Sequence, residues 1–428
     1  MPYIDTYYRM TLGLGGEDLA PLTSAIEADA CVVGAGLAGL TGALELARAG
    51  RRVCVLEAEK VGWGASGRNG GMVSPGWSAR HETVEMYAGK DQAVTLHRLS
   101  MEGVDIVSGN LAALDVGEAR VVLGHLSAAR HAAADELRRQ RDWLARTFGY
   151  EVEYWERERV REAIDSPRYH QGLFSPRAFH FNPLAYALAL AAEIRRLGGM
   201  IFENSPVAAI ETDGGARRAR TAQGSVTARD MVICGGGYTG AFAPWVRSSY
   251  LPVATYVMLT QADPDLIATA IRTTAAIGDR RRAGDYYRLV DGGARILWGG
   301  KITTRTSEPH ALARRLHDSM SSTFPQLKPL GVDMAWSGLM GYARHLMPQI
   351  GRMEEGLWVC AAFGGHGVNT TAIGGKVVAE AILGESDRYR LFAPFGLTWN
   401  GGVFGRAAVQ ATYWALQADD AVREALSR

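Results

Sequence analysis

The chain has 428 residues, of which 51 are glycine and 15 are proline, and 47% of its residues are hydrophobic. Average usage would supply roughly 30 glycines, but no Gly-X-Y period exists, which excludes collagen, and the hydrophobic content excludes disorder. Lys and Arg total 46 against 45 for Asp and Glu, so the net charge of +1 lacks the basic excess of a nucleic-acid-binding protein.

The first predicted unit covers residues 29–58 and reads strand, glycine turn, helix, strand. Gly34-Ala-Gly-Leu-Ala-Gly39 follows an apolar strand and opens a helix that ends at Gly50. A second apolar strand, residues 52–56, leads directly to Glu57. A G-x-G-x-x-G turn in this context, with an acidic residue about 20 positions later, indicates a dinucleotide-binding βαβ unit.

Each part of this unit has a physical role. Gly34 permits a tight turn, Gly36 lets a pyrophosphate approach the backbone, and Gly39 lets the helix and strand pack closely. The free N–H groups at the helix start favour the phosphates. Glu57 can accept from both ribose hydroxyls, and its charge would repel a 2′-phosphate, which disfavours NADP.

A glycine-rich loop follows at residues 61–72, with five glycines in ten residues. Such a run cannot form a helix or a sheet interior. Directly after a dinucleotide half-site, it is predicted to run along an extended cofactor, with Ser66, Arg68 and Asn69 as its polar side chains. The alternative is a flexible surface loop.

The middle of the chain is predicted to be helical over residues 88–150, with examples at 92–101 and 128–148. Another helix begins near Pro183 and ends at Leu197. Short apolar runs then return to the nucleotide-binding sheet, as strands at residues 200–202, 206–211 and 226–234.

Residues 250–340 alternate apolar and polar side chains, which predicts an antiparallel sheet interrupted by a helix at 309–323. Its predicted strands are residues 251–262, 285–290, 295–304 and 332–339. This sheet carries an aromatic set that favours a core, although one face could cover a flat ring: Tyr256, Tyr286, Tyr287, Trp298 and Trp336.

A second strand–glycine turn–helix unit covers residues 357–383. The turn is Phe363-Gly-Gly-His-Gly-Val-Asn369, and a helix N-terminus there would stabilise negative charge on a ring that it faces. His366 lies among glycines, where little side-chain packing is available, and is therefore predicted to face a cofactor.

The four cysteines, Cys31, Cys54, Cys234 and Cys360, each lie in a short apolar run, which predicts buried reduced thiols and no metal site. The longest apolar stretch, residues 184–194, is too short to span a membrane, and the first residues lack a signal-peptide core. These features predict a cytoplasmic protein with no transmembrane segment.

These segments, in this order, resemble the D-amino-acid oxidase superfamily of FAD enzymes, within its glycine/sarcosine-oxidase branch. VGWGASGRNGGMVSPG and DYYRLVDGGARILWGGK are similar to γ-glutamylputrescine oxidase-type amine oxidases, and FGGHGVNTTAIGGKVVAEAILGE to that group's C-terminal signature. The resemblance covers about residues 25–410.

The resemblance implies an α/β fold in which a Rossmann-like FAD-binding domain is interleaved with an antiparallel-sheet α+β substrate domain. The expected FAD-binding domain is discontinuous, at residues 25–88, 151–245 and 341–390. Residues 89–150 and 246–340 form the substrate domain, and 391–428 form a helical tail.

The resemblance also assigns FAD contacts along the chain. The pyrophosphate turn, the adenosine-binding positions, the loop along the flavin and the C-terminal turn would supply Gly34, Gly36, Leu37, Ala38, Gly39, Glu57, Ala58, Gly64, Ala65, Ser66, Arg68, Asn69, Gly70, Gly71, Met72, Val207, Cys234, Gly235, Gly236, Gly365, His366, Gly367, Val368 and Asn369. The candidate catalytic residues are His366, Tyr287 and Arg344.

Several positions depart from sarcosine oxidases. Residues 336–348 contain no cysteine, so FAD is expected to be bound non-covalently. Ser74 and Asn369 stand where those enzymes hold a substrate carboxylate with basic residues, which leaves Arg288 and Arg344 as alternative partners for an anion. Lys301 and Lys328 are the lysines of residues 250–340, and neither clearly matches the lysine that assists oxygen reduction in some relatives.

The expected reaction is FAD-dependent oxidation of a C–N bond in a small amine or amino acid. Hydride transfer to flavin leaves an imine that water hydrolyses, and O2 reoxidises the flavin to give H2O2. Two alternatives are a dehydrogenase that passes electrons to a quinone or another acceptor, and a non-catalytic flavoprotein subunit. Nothing in the sequence selects the substrate.

Overall fold

The computed structural model describes residues 2–13, 18–213, 215–281, 284–303 and 310–427, with the side chains of 213, 301–303 and 310–312 left out. The helices are α1 Tyr7–Leu12, α2 Leu37–Arg48, α3 His81–Ala88, α4 Lys90–Ala113, α5 Ala134–Phe148, α6 Arg157–Ala163, α7 Pro183–Arg196, α8 Pro244–Arg247, α9 Pro264–Ala268, α10 His310–Thr323, α11 Gly367–Leu383 and α12 Gly402–Leu426.

Seventeen strands within these ranges form two sheets. They are β1 Ala25–Val33, β2 Val53–Leu56, β3 Met72–Val73, β4 Val122–Ala128, β5 Glu153–Trp155, β6 Gly172–His180, β7 Met200–Phe202, β8 Ala209–Asp213, β9 Ala216–Arg220, β10 Ser225–Ile233, β11 Tyr250–Thr260, β12 Ala276–Asp279, β13 Tyr286–Val290, β14 Arg295–Thr303, β15 Val332–Ala343, β16 Gln349–Glu354 and β17 Leu357–Ala361.

The first sheet has the order β16-β17-β10-β1-β2-β7, with the β8–β9 hairpin attached to β10. The strands β17, β10, β1, β2 and β7 run parallel to one another, whereas β16 pairs antiparallel with β17 and β9 pairs antiparallel with β10. All four residues of β2 are buried, as both faces of a parallel sheet require. The predicted nucleotide-binding α/β unit is therefore confirmed, as is the burial of all four cysteines as free thiols.

Helices α2 and α11 pack against each other through glycines on this sheet. A Cβ atom at Gly375 would lie 2.5 Å from Ala38 O and 2.7 Å from Gly42 N, so the two backbones touch. This contact joins the two strand–turn–helix units of the sequence, because α2 follows the first glycine turn and α11 follows the second.

The second sheet has the order β15-β11-β14-β13-β12-β4-β6-β3, with β5 paired to β6. It is larger than the four predicted strands because residues from earlier in the chain join it. The stretch 122–128, expected within a helical region, is strand β4, and helix α5 begins at Ala134 rather than 128. Strand β4 pairs in parallel with β12, whereas the other strand pairs are antiparallel.

The sheet membership also divides residues 151–245, which were expected to lie together in the FAD-binding domain. Strands β5 and β6 lie in the second sheet, and β7 to β10 lie in the first. The same holds for β3, from the predicted 25–88 segment, because Met72 and Val73 pair with His180 and Phe179 of β6.

The two faces of the second sheet have different environments. Tyr287 and Trp298 stack at 4.2 Å on one face, against Phe324, which follows α10. Tyr286 and Arg288 point to the other face, toward the glycine-rich loop. Within the described residues, no helix is both long and apolar enough to cross a membrane.

Candidate active site

The first glycine turn links β1 to α2 and leaves no room for side chains. Gly34 has a φ of +112°, and a Cβ atom there would lie 2.8 Å from Cys234 O. A Cβ atom at Gly39 would lie 2.1 Å from Gly34 O. At Gly36 the neighbour is the side chain of Ser66, whose Oγ would lie 3.0 Å away. The predicted tight turn and close helix–strand packing are both present.

Acceptor side chains converge on the backbone N–H groups of this turn. Glu57 Oε2 accepts from Ala35 N at 2.7 Å, and its Oε1 accepts from Glu59 N at 2.9 Å. Ser66 Oγ accepts from Leu37 N at 2.9 Å. Burial raises the pKa of Glu57, and the two backbone hydrogen bonds oppose that rise.

The turn fits the pyrophosphate of a dinucleotide. Gly36, the N-cap of α2, has no side chain to cap the helix, and Leu37 N donates to Ser66 Oγ instead, so the positive end of the helix dipole faces this turn. A carboxylate stands at the end of β2, where a ribose would be held. Val207 lies near this same end of β2, because Ser205, which precedes it by two residues, donates its N–H to Glu57 O at 2.8 Å.

The glycine-rich loop is held by its own side chains. Asn69 Nδ2 donates to the carbonyls of Ala65 and Ser66, and its Oδ1 accepts from Gly71 N at 2.8 Å. Gly67 N donates to Gly62 O at 2.9 Å. These bonds define one backbone path and do not support the alternative of a flexible surface loop.

Arg68 is buried beside this loop with its charge over an aromatic ring. Its guanidinium lies 4.0 Å from the ring centre of Trp63, and its Nε donates to Trp63 O at 2.6 Å. Trp336 Nε1, from β15, donates to Arg68 O at 2.8 Å. The loop is thereby attached to the second sheet.

The next two glycines lie against β13 of the second sheet. A Cβ atom at Gly70 would lie 2.6 Å from the ring of Tyr286, and Gly71, with a φ of +73°, would place one 2.1 Å from Phe181 O. Arg288 Nη1 donates to His180 Nδ1 at 2.9 Å and its Nη2 to Phe181 O at 2.9 Å. Arg288 therefore connects β13 to the segment that packs against Gly71 of the loop.

Helix α1 covers the same loop, a contact that was not predicted. Tyr8 is fully buried, and its hydroxyl donates to Asn69 O at 2.6 Å while accepting from Arg288 Nη2 at 3.3 Å. Tyr3 donates to Val61 O at 2.7 Å. The available signal was the cluster of three tyrosines in the first eight residues, in a segment otherwise lacking an apolar pattern.

The second glycine turn leads from β17 into α11. His366 precedes the helix, and its Nε2 donates to Ser74 O at 2.8 Å, which ties the turn to the end of the glycine-rich loop. Gly365 N donates to Ser78 Oγ at 3.2 Å. Asn369 is buried and donates to Ser100 O of α4, so its side chain anchors α11.

Two histidines and two tyrosines near this turn form what we call the His/Tyr set: His125, Tyr286, Tyr342 and His366. Each is half-buried. Burial lowers the pKa of His125 to about 4, with a further contribution from His366, and it also lowers the pKa of His366. Burial raises the pKa of Tyr342 to about 12. At neutral pH all four side chains are uncharged.

Other candidates lie away from these loops. Tyr287 is fully buried, and its hydroxyl donates to Tyr169 on the α10 face of the sheet. Arg344 and Lys328 are exposed, and the side chain of Lys301 lies outside the described residues. Tyr286, and not the catalytic candidate Tyr287, is the tyrosine that contacts the glycine-rich loop. Because successive side chains of a strand point to opposite faces of the sheet, the sequence predicts that Tyr286 and Tyr287 face opposite sides.

The described residues contain no group of three His, Cys, Asp or Glu side chains that could hold a metal ion. Cys234 and Cys360 lie side by side, and their contact and their burial raise the pKa of the Cys360 thiol. Cys234 also packs on the first turn, since a Cβ atom at Gly39 would lie 3.3 Å from its Cβ.

Comparison with known proteins gives one family. The FAD-dependent oxidoreductase family DAO matches residues 29–381. The chain is 32% identical over 374 residues to gamma-glutamylputrescine oxidoreductase of Escherichia coli, and this match covers 87% of each protein. It is 31% identical over 384 residues to a probable oxidoreductase, OrdL, of Haemophilus influenzae, covering 87% of this chain and 86% of that one.

Two solved structures share the fold. Glycine oxidase from Geobacillus kaustophilus superposes with a TM-score of 0.73 at 21% identity, covering 87% of this chain and 98% of that one. L-proline dehydrogenase from P. horikoshii gives a TM-score of 0.70 at 19% identity, covering 88% and 100%.

Proposed function

The chain belongs to the DAO family of FAD-dependent oxidoreductases, and from that premise we propose that it oxidises a C–N bond of a small amine or amino acid. When bound, FAD supplies a two-electron acceptor for the hydride that leaves the carbon next to nitrogen. The product imine is hydrolysed by water. The similarity to gamma-glutamylputrescine oxidoreductase, which extends over most of both chains, supports an amine substrate.

The residues that would hold FAD are those of the two turns and the glycine-rich loop. The first turn would hold the pyrophosphate, and Glu57 would hold the ribose. The loop 64–72 would run along the flavin, and residues 365–369 would approach the pyrimidine edge of the flavin. We further propose that FAD is held non-covalently, because Cys31, Cys54, Cys234 and Cys360 are all buried in the sheet core.

The observation that carries the amine assignment is the uncharged character of the His/Tyr set. Its histidines are neutral at pH 7, since burial lowers the pKa of both. An environment that disfavours charge also lowers the pKa of a bound amine and so favours the deprotonated form that can release hydride. We place the substrate nitrogen among these four side chains, with Tyr286 covering the loop.

No carboxylate clamp is part of this proposal. Arg288 is engaged by His180, Tyr8 and Phe181 O, and Arg344 is exposed. The substrate would be recognised through its nitrogen and its apolar atoms. The electron acceptor is proposed to be O2, with H2O2 as the product.

Anaerobic reduction of the bound flavin tests this function directly. The purified holoenzyme would be mixed with gamma-glutamylputrescine, unmodified putrescine, glycine, L-proline and D-amino acids, and the loss of flavin absorbance followed. We expect bleaching by at least one amine, with γ-glutamylated or secondary amines faster than glycine. Bleaching by none of the panel would reject the assignment in favour of a non-catalytic subunit.

Admitting air to the bleached enzyme then tests the acceptor. Rapid return of flavin absorbance with stoichiometric H2O2 is expected. Slow return in air but fast return with a quinone would instead establish a dehydrogenase.

A further inference from the structure

Helix α12 lies beyond the family match, which ends at residue 381. Its 25 residues, from Gly402 to Leu426, give a length of about 37 Å at 1.5 Å per residue. All of them lie in the described part of the chain, and none is buried. Apolar residues that stay exposed along a surface helix of this length are typical of an interaction site.

One side of α12 rests on the body of the protein. Half-buried residues recur along it at intervals of three and four, at Val409, Tyr413, Leu416, Asp420 and Glu424. Glu424 accepts from Arg168 near the C-terminal end. Before the helix, Asn400 N donates to Ser248 O at 2.8 Å. The helix is attached at both ends, so its outward side is defined.

The outward side is apolar along its whole length. Its centre, which we call the outer stripe, consists of six exposed residues: Val403, Ala407, Ala411, Trp414, Ala418 and Val422. Val403 is 80% exposed, Trp414 60% and Val422 56%. Further exposed apolar residues border the stripe: Phe404, Ala408, Ala415, Ala421, Ala425 and Leu426.

The outer stripe has the same spacing in both directions along the chain. Its successive intervals are four, four, three, four and four residues. Reversing the helix therefore places Val403 opposite Val422, Ala407 opposite Ala418, and Ala411 opposite Trp414. A two-fold axis between identical antiparallel helices requires this self-complementarity. In this alignment the ring of Trp414 packs on Ala411 of the partner helix.

We propose that the outer stripe pairs with the outer stripe of a second copy of this chain, forming an antiparallel helix pair at the centre of a homodimer. The same alignment brings Phe404 opposite Ala421 of the partner, and it brings the start of α12, where Trp399 lies, toward the partner's Leu426. The alanines let the two helix axes approach closely, and the aromatic rings fill the space at the ends and beside the axis.

The composition of the helix favours this partner over a lipid surface. Helices that lie in membrane interfaces carry bulky apolar residues and a Lys/Arg-rich polar face. The outer side of α12 is largely alanine, which gains little in lipid. Its two arginines, Arg406 and Arg423, are outnumbered by Asp419, Asp420 and Glu424, and Asp419 pairs with Arg423 at 3.0 Å.

The exposed area also suits a stable dimer. Trp399, Phe404 and Trp414 are 66%, 85% and 60% exposed. At about 150–250 Å² for a fully buried aromatic side chain, they supply roughly 300–500 Å² per subunit. A standard interface needs about 800 Å² per partner. The remainder would come from Val403, Val422, Leu426 and the seven alanines.

The first test is the oligomeric state of the full-length holoenzyme, measured by light scattering during gel filtration and by sedimentation equilibrium. We expect a dimer at micromolar concentration. Trp414→Glu and Ala411→Glu should each weaken dimerisation at least about 100-fold, because each buries an unpaired charge at the helix crossing. Thr412→Glu is the matched control: it adds the same charge at an exposed position outside the stripe and should leave the dimer intact.

The second test reads the register by disulfide cross-linking. The double variant Ala407→Cys/Ala418→Cys should form intermolecular disulfides on mild oxidation, whereas Ala407→Cys alone should not, because the two copies of residue 407 lie eleven positions from facing each other. The natural cysteines are buried and do not interfere.

Three outcomes would overturn the proposal. They are a monomeric wild-type protein, a dimer that Trp414→Glu and Ala411→Glu leave unchanged, and efficient cross-linking of Ala407→Cys alone, which would mean parallel pairing. A monomer whose tryptophan fluorescence shifts to the blue on phosphatidylglycerol vesicles, with the shift lost in Trp414→Phe, would assign the face to lipid instead.

Discussion

At the scale of single residues, the contact between Gly36 and Ser66 sets how much space the first turn offers. A Cβ atom at Gly36 would lie 3.0 Å from Ser66 Oγ, and Ser66 already accepts from Leu37 N. Any larger side chain must therefore enter the space in front of the α2 N–H groups, where a pyrophosphate would be bound.

Gly36→Val is accordingly expected to abolish FAD retention. The added methyl groups would block the pyrophosphate, and we expect a loss of affinity of at least about 100-fold, or about 2.7 kcal/mol. Flavin absorbance per protein after gel filtration measures this. Gly109→Val is the control, because a Cβ atom at Gly109 meets nothing within 4 Å. A Gly36→Val protein purified with full flavin absorbance would contradict the site assignment.

Tyr286 and Tyr287 illustrate what residue-level reasoning can and cannot provide. Side chains alternate between the two faces of a sheet along a strand, so the sequence alone predicts that these two tyrosines lie on opposite faces. Which face meets the glycine-rich loop depends on the partners packed on each side, α10 on one and the loop on the other. That information lies in contacts between segments far apart in the chain.

At the scale of elements, α1 acts as a strap over the glycine-rich loop. The buried Tyr8 hydroxyl bridges Asn69 O and Arg288 Nη2, so it connects the loop to β13. Its ring packs edge-on against Trp336, whose Nε1 donates to Arg68 O. The N-terminal segment therefore helps to hold the loop in one path.

Tyr8→Phe should loosen this attachment without changing side-chain packing. Leaving buried partners unsatisfied costs about 1–3 kcal/mol, and we expect a fall in the free energy of unfolding of that size. Dissociation of FAD should become faster as the loop gains freedom. Urea unfolding and the rate of flavin release measure the two effects.

Tyr7→Phe is the matched control, because the Tyr7 hydroxyl donates to Asp291 and does not touch the loop. Its flavin release should equal that of the wild type. Equal flavin release from Tyr8→Phe and wild type would contradict the role assigned to α1.

Strand β4 shows why one element was missed in the sequence. The stretch VLGHLSA contains a glycine and a histidine, with little apolar alternation, in a region otherwise rich in helical spacing. It becomes a strand because it pairs on both sides, with β6 and with β12. Long-range pairing of this kind overrides local propensity.

At the scale of the whole molecule, three histidines make stability depend on pH. Burial lowers the pKa of His97 and of His125 to about 4, and burial together with Arg288 lowers that of His180 to about 3. These values lie below about 6.5, the value expected in the unfolded chain. The unfolded state therefore takes up protons first as the pH falls.

The free energy of unfolding should be at its full value above about pH 6.5 and should decrease steadily as the pH falls toward 4. We expect a loss of roughly 1–2 kcal/mol per histidine by pH 5, measured by urea unfolding. His97→Phe should flatten this dependence, since the ring of His97 packs on Phe148 at 4.1 Å and Phe preserves that contact. An unchanged slope in this variant would contradict the assignment of His97.

Local sequence was sufficient for the nucleotide-binding half of the protein. The glycine turns and the glycine-rich loop are contiguous patterns whose geometry follows from the absence of side chains, so the tight turn at Gly34, Gly36 and Gly39 could be predicted before any contact was known. The placement of the His/Tyr set, the sheet partners of β4 and β6, and the strap formed by α1 required the folded chain. These depend on strand register and on packing between segments that are distant in the sequence, such as Tyr8 with Asn69 and Arg288, which no local pattern encodes.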